Sequence, residues 1–328
     1  MEYRILGKTD LRVSEIGFGA WGIGGSEWQN GNDEEALKAL HLAFKQGINF
    51  YDTALAYGDG HSEKLIGQLA NDIGRYNVII ATKIPPKNLK WPAPCGIPVN
   101  DVFPKDHIRD SVHKSLKNLK IDTIDLIQLH VWQDEWLEHT EWQEALLTLK
   151  REGKVRFIGV SINDHDPNSA LLLAQNHIAD TVQCIYNIFD PTADDALLDL
   201  CKANQIGVIA RVPFDEGALT GTLNAQTTFP EGDFRNLYFG DNRLTMVEQK
   251  VNELKKCLGE EAKSLPELAI RFCLSNSAIS TVIAGMRKAK HVEANTSYAD
   301  GKKLSPKLLE KLDAFRWNKN FYASLHTD

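Results

Sequence analysis

Four side chains with acid–base chemistry stand at, or just beyond, the ends of three apolar runs in this sequence. The run INFYDT (48–53) contains a carboxylate and is followed by a tyrosine in a Gly-rich turn. VIIATK (78–83) ends in a lysine, and IDLIQLH (124–130) ends in a histidine. If these runs are neighbouring parallel strands, their carboxyl ends meet at one edge. The four residues are Asp52, Tyr57, Lys83 and His130.

Such a cluster is suited to protonating a carbonyl oxygen. A free phenol has a pKa near ~10, which is too high for an efficient acid at neutral pH. A lysine ammonium about 4 Å away, at an effective dielectric of about 20, favours the phenolate by up to ~4 kcal/mol. That attraction lowers the phenol pKa by up to ~3, although burial opposes part of the effect. An aspartate keeps the lysine charged, and an imidazole orients the carbonyl. The cluster therefore predicts proton donation by Tyr57 while a hydride reaches the carbonyl carbon.

Each of these residues also has an ordinary structural interpretation. Asp52 can cap a turn, Lys83 can be a solvated charge, and His130 can be a hydrogen-bonded residue at the rim. Tyr57 alone is uninformative. The functional interpretation depends on their shared placement at the same end of consecutive strands.

Alternating apolar and amphipathic segments supply the elements that would position this cluster. Eight short apolar runs alternate with helical periods such as 33–46, where Leu37, Leu40 and Phe44 are spaced by three and four. This alternation predicts an α/β fold in which parallel strands close into a (β/α)₈ TIM barrel. The predicted strands are 13–19, 48–53, 78–83, 124–130, 156–161, 181–187, 207–213 and 280–285.

Three segments exceed what a bare barrel requires. Residues 1–12 contain LGKTDLR between two short β-type runs, which predicts an N-terminal hairpin across the barrel floor. Residues 84–105, with six of the twelve prolines, follow the third strand, and residues 221–243 follow the seventh. Long loops inside a compact domain are usually functional, and both are expected on the C-terminal face.

The first strand contains a G-x-G-x-x-G pattern at Gly17, Gly19 and Gly22. That pattern indicates a dinucleotide fold only when a helix starts in the glycine turn and an acidic residue follows about 20 residues later. Neither condition is met here, since the glycines run into more glycines and Asp52 comes too late. We therefore expect small residues that let the first loop approach a ligand closely.

The composition narrows the function classes. The chain has 328 residues, 43% hydrophobic and 25% charged, with a formal charge of −7, which argues against a nucleic-acid or anionic-membrane partner. No apolar run approaches the ~20 residues of a membrane helix, and the start lacks the apolar core of a secretion signal. Five scattered cysteines without a C-x-x-C pair suit core thiols in a reducing compartment. We expect one cytoplasmic domain over residues 1–328, with no metal site and with its oligomeric state open.

Together these residues resemble the aldo-keto reductase family along nearly the whole chain. The combination of YDTALAYGDGHSEKLIG with the later ATK and DLIQLH is specific, and GKVRFIGVS and VIAGMRKAKHVEAN extend the match. The resemblance implies a (β/α)₈ barrel that binds NADPH, less often NADH, without a Rossmann fold. It implies Tyr57 as general acid, His130 as the residue that orients the carbonyl, and Lys83 and Asp52 as residues that tune the acid.

The resemblance also implies contacts to the nicotinamide. Ser161 and Gln183 match positions that bind its carboxamide. Ile162 stands where the family usually has an asparagine, so Asn163 is expected to substitute for it. Arg211 stands where many members stack an aromatic residue on the nicotinamide ring, and a guanidinium can stack in the same way.

Further resemblance covers the rest of the cofactor. DEGALTG resembles a loop whose backbone amides contact the pyrophosphate, a typical anion-binding arrangement. After the eighth strand, an arginine matches the position that binds the 2′-phosphate, and an asparagine matches one that contacts adenine. Because arginine pairs well with phosphate, NADP(H) is predicted in preference to NAD(H). The residues are Gly217, Leu219, Gly285, Arg287 and Asn295.

Three tryptophans are candidates for the substrate side. Trp21 matches a family position that lines the substrate pocket, while Trp91 and Trp132 lie near the third and fourth strand ends. Each can also be a packing residue. Aromatic walls suit a small carbonyl compound or a sugar, and no residue specifies which.

The sequence thus predicts an NADPH-dependent reductase that converts an aldehyde or ketone, such as a sugar or a small aromatic carbonyl, to the alcohol. One alternative is a cofactor-binding regulatory subunit with weak turnover, since the resembled family includes channel-associated members. A second is a Schiff-base aldolase that uses Lys83. The preferred direction of the reaction is left open.

Overall fold

Eight parallel strands close into a barrel in the computed structural model, which describes residues 1–25 and 32–318. The strands follow chain order around the barrel, and the last pairs with the first. The barrel strand Ile124–Leu129 is buried at every position, as expected for a strand covered on both faces. The predicted (β/α)₈ fold is therefore confirmed. The barrel strands are β3 (Ile16–Gly19), β4 (Phe50–Asp52), β5 (Ile79–Ile84), β6 (Ile124–Leu129), β7 (Val155–Ser161), β8 (Thr181–Ile185), β9 (Gly207–Arg211) and β10 (Ile279–Gly285).

An N-terminal hairpin closes the floor of the barrel, as predicted. Strands β1 (Tyr3–Ile5) and β2 (Arg12–Ser14) pair antiparallel. Leu6, at the turn, is fully buried and packs with Phe50 and Leu126 in an apolar cluster inside the barrel. The predicted first strand, 13–19, combines parts of two separate strands, β2 and β3. Its first residues pair within the hairpin, and the barrel strand begins only at Ile16.

Helices cover the outside of the barrel. Asn32 caps the helix Asp33–Lys45 by accepting a hydrogen bond from the Glu35 amide, and Ser264 caps the helix Leu265–Ser275 by accepting one from the Glu267 amide. No helix within the described ranges is long and apolar enough to cross a membrane. The helices are α1 (Asp33–Lys45), α2 (His61–Ile73), α3 (Val99–Val102), α4 (Lys105–Leu119), α5 (Glu141–Arg151), α6 (Leu171–Gln175), α7 (Leu197–Ala203), α8 (Arg235–Tyr238), α9 (Arg243–Leu254), α10 (Leu265–Ser275), α11 (Ala289–Ser297) and α12 (Pro306–Asp313).

Both long loops leave the carboxyl ends of barrel strands. The proline-rich loop follows β5 and contains α3, and the second loop follows β9 and contains a 3₁₀ segment, Asp215–Thr220, together with α8. Since the carboxyl ends of all eight strands share one face of the barrel, these loops border the same face as Asp52 and Lys83. Their predicted positions are confirmed.

The glycine pattern of the first strand is not a dinucleotide-binding turn. Gly17 and Gly19 lie within β3, and a short 3₁₀ turn (Trp21–Ile23) follows instead of an α-helix. A Cβ on Gly17 would come 2.8 Å from the ring of Phe50. This glycine therefore serves the packing of the barrel interior.

Candidate active site

A buried ion pair between Lys83 and Asp52 lies at the carboxyl end of the barrel. Strands β4 and β5 are neighbours, and Lys83 Nζ donates to Asp52 Oδ1 at 2.5 Å and to the Thr53 carbonyl at 2.8 Å. The two side chains are 0% and 2% exposed. Burial lowers the pKa of Lys83, and the Asp52 carboxylate opposes that shift because it favours the ammonium form. The aspartate thus stabilises a cation inside the barrel.

Two glutamines engage the second oxygen of Asp52. Gln183 Nε2 donates to Oδ2 at 2.8 Å, and Gln128 Nε2 donates to the same atom at 3.3 Å. Gln183 Oε1 in turn accepts a hydrogen bond from the Ser161 hydroxyl at 3.4 Å. A continuous polar chain therefore connects Lys83 to Ser161 and Gln183, the two residues expected to bind the nicotinamide carboxamide.

A tight turn places Tyr57 over the ion pair. Gly58 has a φ of +63°, and a Cβ there would come 2.0 Å from the Gly24 carbonyl oxygen. Only glycine allows these two loops to touch. The Nζ of Lys83 lies 5.1 Å from the centroid of the Tyr57 ring, and the Tyr57 and His130 ring centroids are 5.8 Å apart. The structure therefore brings together all four side chains of the predicted cluster.

The imidazole of His130 is kept neutral by its surroundings. Its backbone N–H donates to the Ile84 carbonyl, which fixes the residue directly after β6. Burial lowers the pKa of His130 well below its ordinary value, and the charges of Lys83 and Arg211 lower it further. The buried Nδ1 has no hydrogen-bond partner within the described part of the chain. A neutral ring here is suited to hydrogen bonding a carbonyl oxygen.

Arg211 adds a second cation to the site from the end of β9. Its guanidinium pairs with Asp164 at 2.5 Å and donates to the Ile162 carbonyl at 2.9 Å. Burial disfavours the charge, but the ion pair with Asp164 raises the pKa of Arg211 on balance. Arg211, which is predicted to replace a ring-stacking aromatic side chain, is thus held in place by two residues of the loop after β7.

The positions expected to bind the adenosine half of the cofactor lie around the first and last barrel strands. Gly285 pairs with Gly19, and apart from its neighbours in the chain no described residue has an atom within 4 Å of where its Cβ would stand. Arg287 lies against the first loop, since a Cβ on Gly22 would be 3.8 Å from Arg287 Cδ. Asn295 is 4% exposed, and its buried Nδ2 finds no partner in residues 1–25 and 32–318. An open strand end, an arginine and an unsatisfied buried amide fit an adenine nucleotide.

Two backbone amides expected to contact the pyrophosphate donate hydrogen bonds within their own loop. The N–H groups of Gly217 and Leu219 both donate to the Phe214 carbonyl at 3.0 Å. Glu216 and Gly217 have φ values of 54° and 107°, which fold this segment into a compact turn. Their contact with a pyrophosphate stays a prediction.

Asn163 connects the loop after β6 to the proline-rich loop. Its Nδ2 donates to the Trp132 carbonyl at 3.0 Å, and its Oδ1 accepts from the Ala93 N–H at 3.2 Å. The residue is 8% exposed. The amide therefore anchors the proline-rich loop in this structure, and its expected contact with the nicotinamide stays a prediction.

Aromatic rings surround the space beside Tyr57. The Trp21 ring centroid lies 6.1 Å from that of Tyr57 and 5.2 Å from that of Phe234. On the other side, the Trp91 ring lies 5.7 Å from His130. Two of the three tryptophans expected on the substrate side are thus next to Tyr57 and His130.

Trp132 is a core residue, and its expected contact with the substrate is corrected accordingly. Its side chain is 0% exposed, and Nε1 donates to Asp134 at 2.8 Å. The ring packs edge-on against Trp136 and against Trp142 of α5. The chain has left β6 at this point, and the ring points into the layer between barrel and helices.

Gln128 and Phe234 contribute to the site but were not predicted from the sequence. Gln128 precedes His130 by two positions at the end of the predicted strand 124–130, and this spacing indicates that both side chains point to the same side. This spacing could therefore have placed Gln128 in the site from the sequence alone. Phe234 belongs to the long loop after β9, where sequence position does not fix the direction of a side chain.

The chain is similar to known proteins along most of its length. The model described as the Aldo/keto reductase family matches residues 15–316. The aldo-keto reductase YhdN of Bacillus subtilis is 33% identical over 302 residues, covering 90% of this chain and 87% of the relative. The NADH-specific methylglyoxal reductase of Escherichia coli is 29% identical over 305 residues, covering 89% and 91%. A solved glycerol dehydrogenase of Gluconobacter oxydans is 27% identical with a TM-score of 0.77, covering 99% and 96%.

Acid is expected to destabilise the protein through His130. An unfolded histidine binds a proton below its pKa of about 6.5, whereas the folded His130, with its lowered pKa, does not. The free energy of unfolding therefore falls as the pH drops below about 6.5, by up to ~2 kcal/mol at about pH 5 from this group. The His130→Asn variant should lose correspondingly less stability between about pH 7 and about pH 5, as measured by urea denaturation.

The exposed His139 provides a control for this measurement. The His139→Asn variant should keep the pH dependence of the wild type. An equal loss of stability in the wild type and in His130→Asn would contradict the exclusion of a proton from His130.

Proposed function

The chain belongs to the aldo/keto reductase family and is an NAD(P)H-dependent oxidoreductase; on that premise we propose that it reduces an aldehyde or ketone to the alcohol, with NADPH as hydride donor and Tyr57 as proton donor. The observation that supports this most is the grouping of Tyr57 and His130 around the buried pair of Lys83 and Asp52. The aromatic rings beside Tyr57 favour a sugar or a small aromatic carbonyl as the substrate.

The proposed proton transfer follows from the positions of these side chains. His130, as a neutral imidazole, donates a hydrogen bond to the carbonyl oxygen and directs it toward Tyr57. Tyr57 gives its phenolic proton to that oxygen, and Lys83, 5.1 Å from the ring centroid, stabilises the phenolate that remains. Asp52 keeps Lys83 charged throughout. When bound, the reduced nicotinamide supplies the hydride for the carbonyl carbon.

The proposed cofactor contacts divide between the two ends of the nucleotide. Ser161 and Gln183 would bind the carboxamide, and Arg211 would stack on the nicotinamide ring. Asn295 offers its unsatisfied Nδ2 to the adenine, and Arg287 takes the 2′-phosphate. Arg287 is the reason for proposing NADPH, although one similar protein is named as NADH-specific.

We also propose that residues 1–328 act as a single barrel domain in the cytoplasm. The five cysteines are free thiols and four of them are buried, which suits a reducing compartment. The partner in this proposal is a small carbonyl compound or, in the reverse direction, an alcohol.

Removing the Tyr57 hydroxyl tests the proposed acid. The Tyr57→Phe variant should lower kcat by about 10²–10⁴-fold, the usual contribution of a positioned general acid. Its dissociation constant for NADPH should stay close to that of the wild type, because the phenol is not among the proposed cofactor contacts. The measurements are NADPH consumption over a panel of aldehydes, ketones and sugars, and quenching of protein fluorescence by NADPH.

Tyr76 is fully exposed and supplies the same chemical change as a control. The Tyr76→Phe variant should turn over like the wild type. Full activity in Tyr57→Phe would exclude its role as the acid. NADPH binding without turnover of any compound by the wild type would favour the regulatory-subunit alternative.

Cofactor choice is tested at Arg287. The Arg287→Gln variant should raise the dissociation constant of NADPH by about 10–100-fold, the range expected for losing a charged hydrogen bond to phosphate. The constant for NADH should change by no more than about twofold, because NADH lacks the 2′-phosphate. Fluorescence titration with each nucleotide gives both constants.

Lys290 is exposed in α11, which begins just after Arg287, and is the matched control. The Lys290→Gln variant should bind both nucleotides like the wild type. An equal loss of NADPH and NADH binding in Arg287→Gln would contradict a specific contact to the 2′-phosphate.

A further inference from the structure

Gln128 contacts both Asp52 and Gln183, the residues that link the two halves of the proposed site. It lies in β6 and is 0% exposed. Its Nε2 donates to Asp52 Oδ2 at 3.3 Å, and its Oε1 accepts from Gln183 Nε2 at 3.4 Å. One neutral side chain therefore bridges the carboxylate of the ion pair and the amide expected to bind the nicotinamide carboxamide.

The neighbouring strand leaves room for this bridge. Gly159 of β7 stands beside Gln128 in the sheet register. A Cβ on Gly159 would come 3.2 Å from Gln128 Cγ and 2.1 Å from Thr181 Oγ1. Because any larger residue at this position would displace these side chains, the position of Gln128 depends on a glycine in the next strand.

The bridge fixes the direction of two flexible side chains. Asp52 accepts a hydrogen bond from Lys83 at one carboxylate oxygen and hydrogen bonds from both glutamines at the other. With its Nε2 turned to Asp52 and Gln128, Gln183 directs its Oε1 toward the Ser161 hydroxyl. That oxygen keeps a second lone pair for a carboxamide N–H, while the Ser161 hydroxyl, whose proton is donated to Gln183, keeps its oxygen lone pairs as acceptors.

We propose that Gln128 is a positioning residue that couples the proton-donating half of the site to its nicotinamide-binding half. It does so by holding Asp52 and Gln183 in one arrangement. This proposal rests on the function proposed above, since it concerns the same hydride and proton transfer.

Two nearly isosteric substitutions separate hydrogen bonding from packing at this position. Gln128→Met keeps the length of the side chain and removes both hydrogen bonds. Gln128→Glu restores a donor only while the carboxyl group is protonated, since the neutral acid can donate its O–H to Asp52. The ionisable groups around the position are Asp52, the cations Lys83 and Arg211, and His130. The nearby carboxylate and burial favour the protonated form of the new acid, and the cations oppose this effect.

The experiment compares each variant with the wild type at the same pH, from about pH 5.5 to about pH 9. Gln128→Met should raise the dissociation constant of NADPH about tenfold and lower kcat about tenfold, with both ratios independent of pH. Gln128→Glu should outperform Gln128→Met at the acidic end, and this advantage should shrink as the pH rises and the carboxyl group ionises. A side chain needed only for packing would not produce such a pH-dependent rescue.

Thr281→Val is the matched control, because Thr281 is fully buried in the barrel and its hydroxyl has no partner among the residues the structure describes. It should show the pH profile of the wild type. The proposal is overturned if Gln128→Met binds NADPH and turns over like the wild type, or if the two Gln128 variants are equal at acidic pH. Absence of carbonyl reduction in the wild type would instead refute the proposed function, and the NADPH titration would still test Gln128.

Discussion

The buried ion pair of Lys83 and Asp52 is the interaction on which the rest of the site depends. An isolated ammonium inside a barrel costs several kcal/mol, so Lys83 is stable there only with acceptors in contact. Asp52 and the Thr53 carbonyl provide them at 2.5 and 2.8 Å. The charge then acts on its neighbours: it lies 5.1 Å from the Tyr57 ring centroid, and it adds to burial in lowering the pKa of His130.

The barrel accommodates such an ion pair because its floor and its carboxyl end are lined by different kinds of side chain. The N-terminal hairpin fills the floor with apolar side chains, while the ion pair lies at the opposite, carboxyl end of the strands. At that end, Asp52 and Lys83 lie on neighbouring strands and have little conformational freedom, whereas Tyr57 and Trp91 lie on loops. These loops are fixed by close packing at Gly58 and by the hydrogen bonds of Asn163.

The sequence predicted what strand ends determine and missed what loops and the barrel interior determine. Asp52, Lys83 and His130 could be grouped before any coordinates, because parallel strands in a barrel bring their carboxyl ends to one face. The prediction that Trp132 contacts the substrate was wrong because the chain turns away immediately after β6, and no residue type in the sequence indicates that turn. The role of Gln128 depends on a gap left by a glycine in the adjacent strand, which requires the register of the sheet.

A double-mutant cycle of Asp52 and Lys83 tests most directly whether the ion pair acts as one unit. The quantity to measure is the single-turnover rate of carbonyl reduction at saturating NADPH for the wild type, Asp52→Asn, Lys83→Met and the double variant. If the two residues work only together, the double variant should be about as slow as Lys83→Met, since the second substitution removes nothing further. A double variant whose loss equals the product of the two single losses would contradict a shared role.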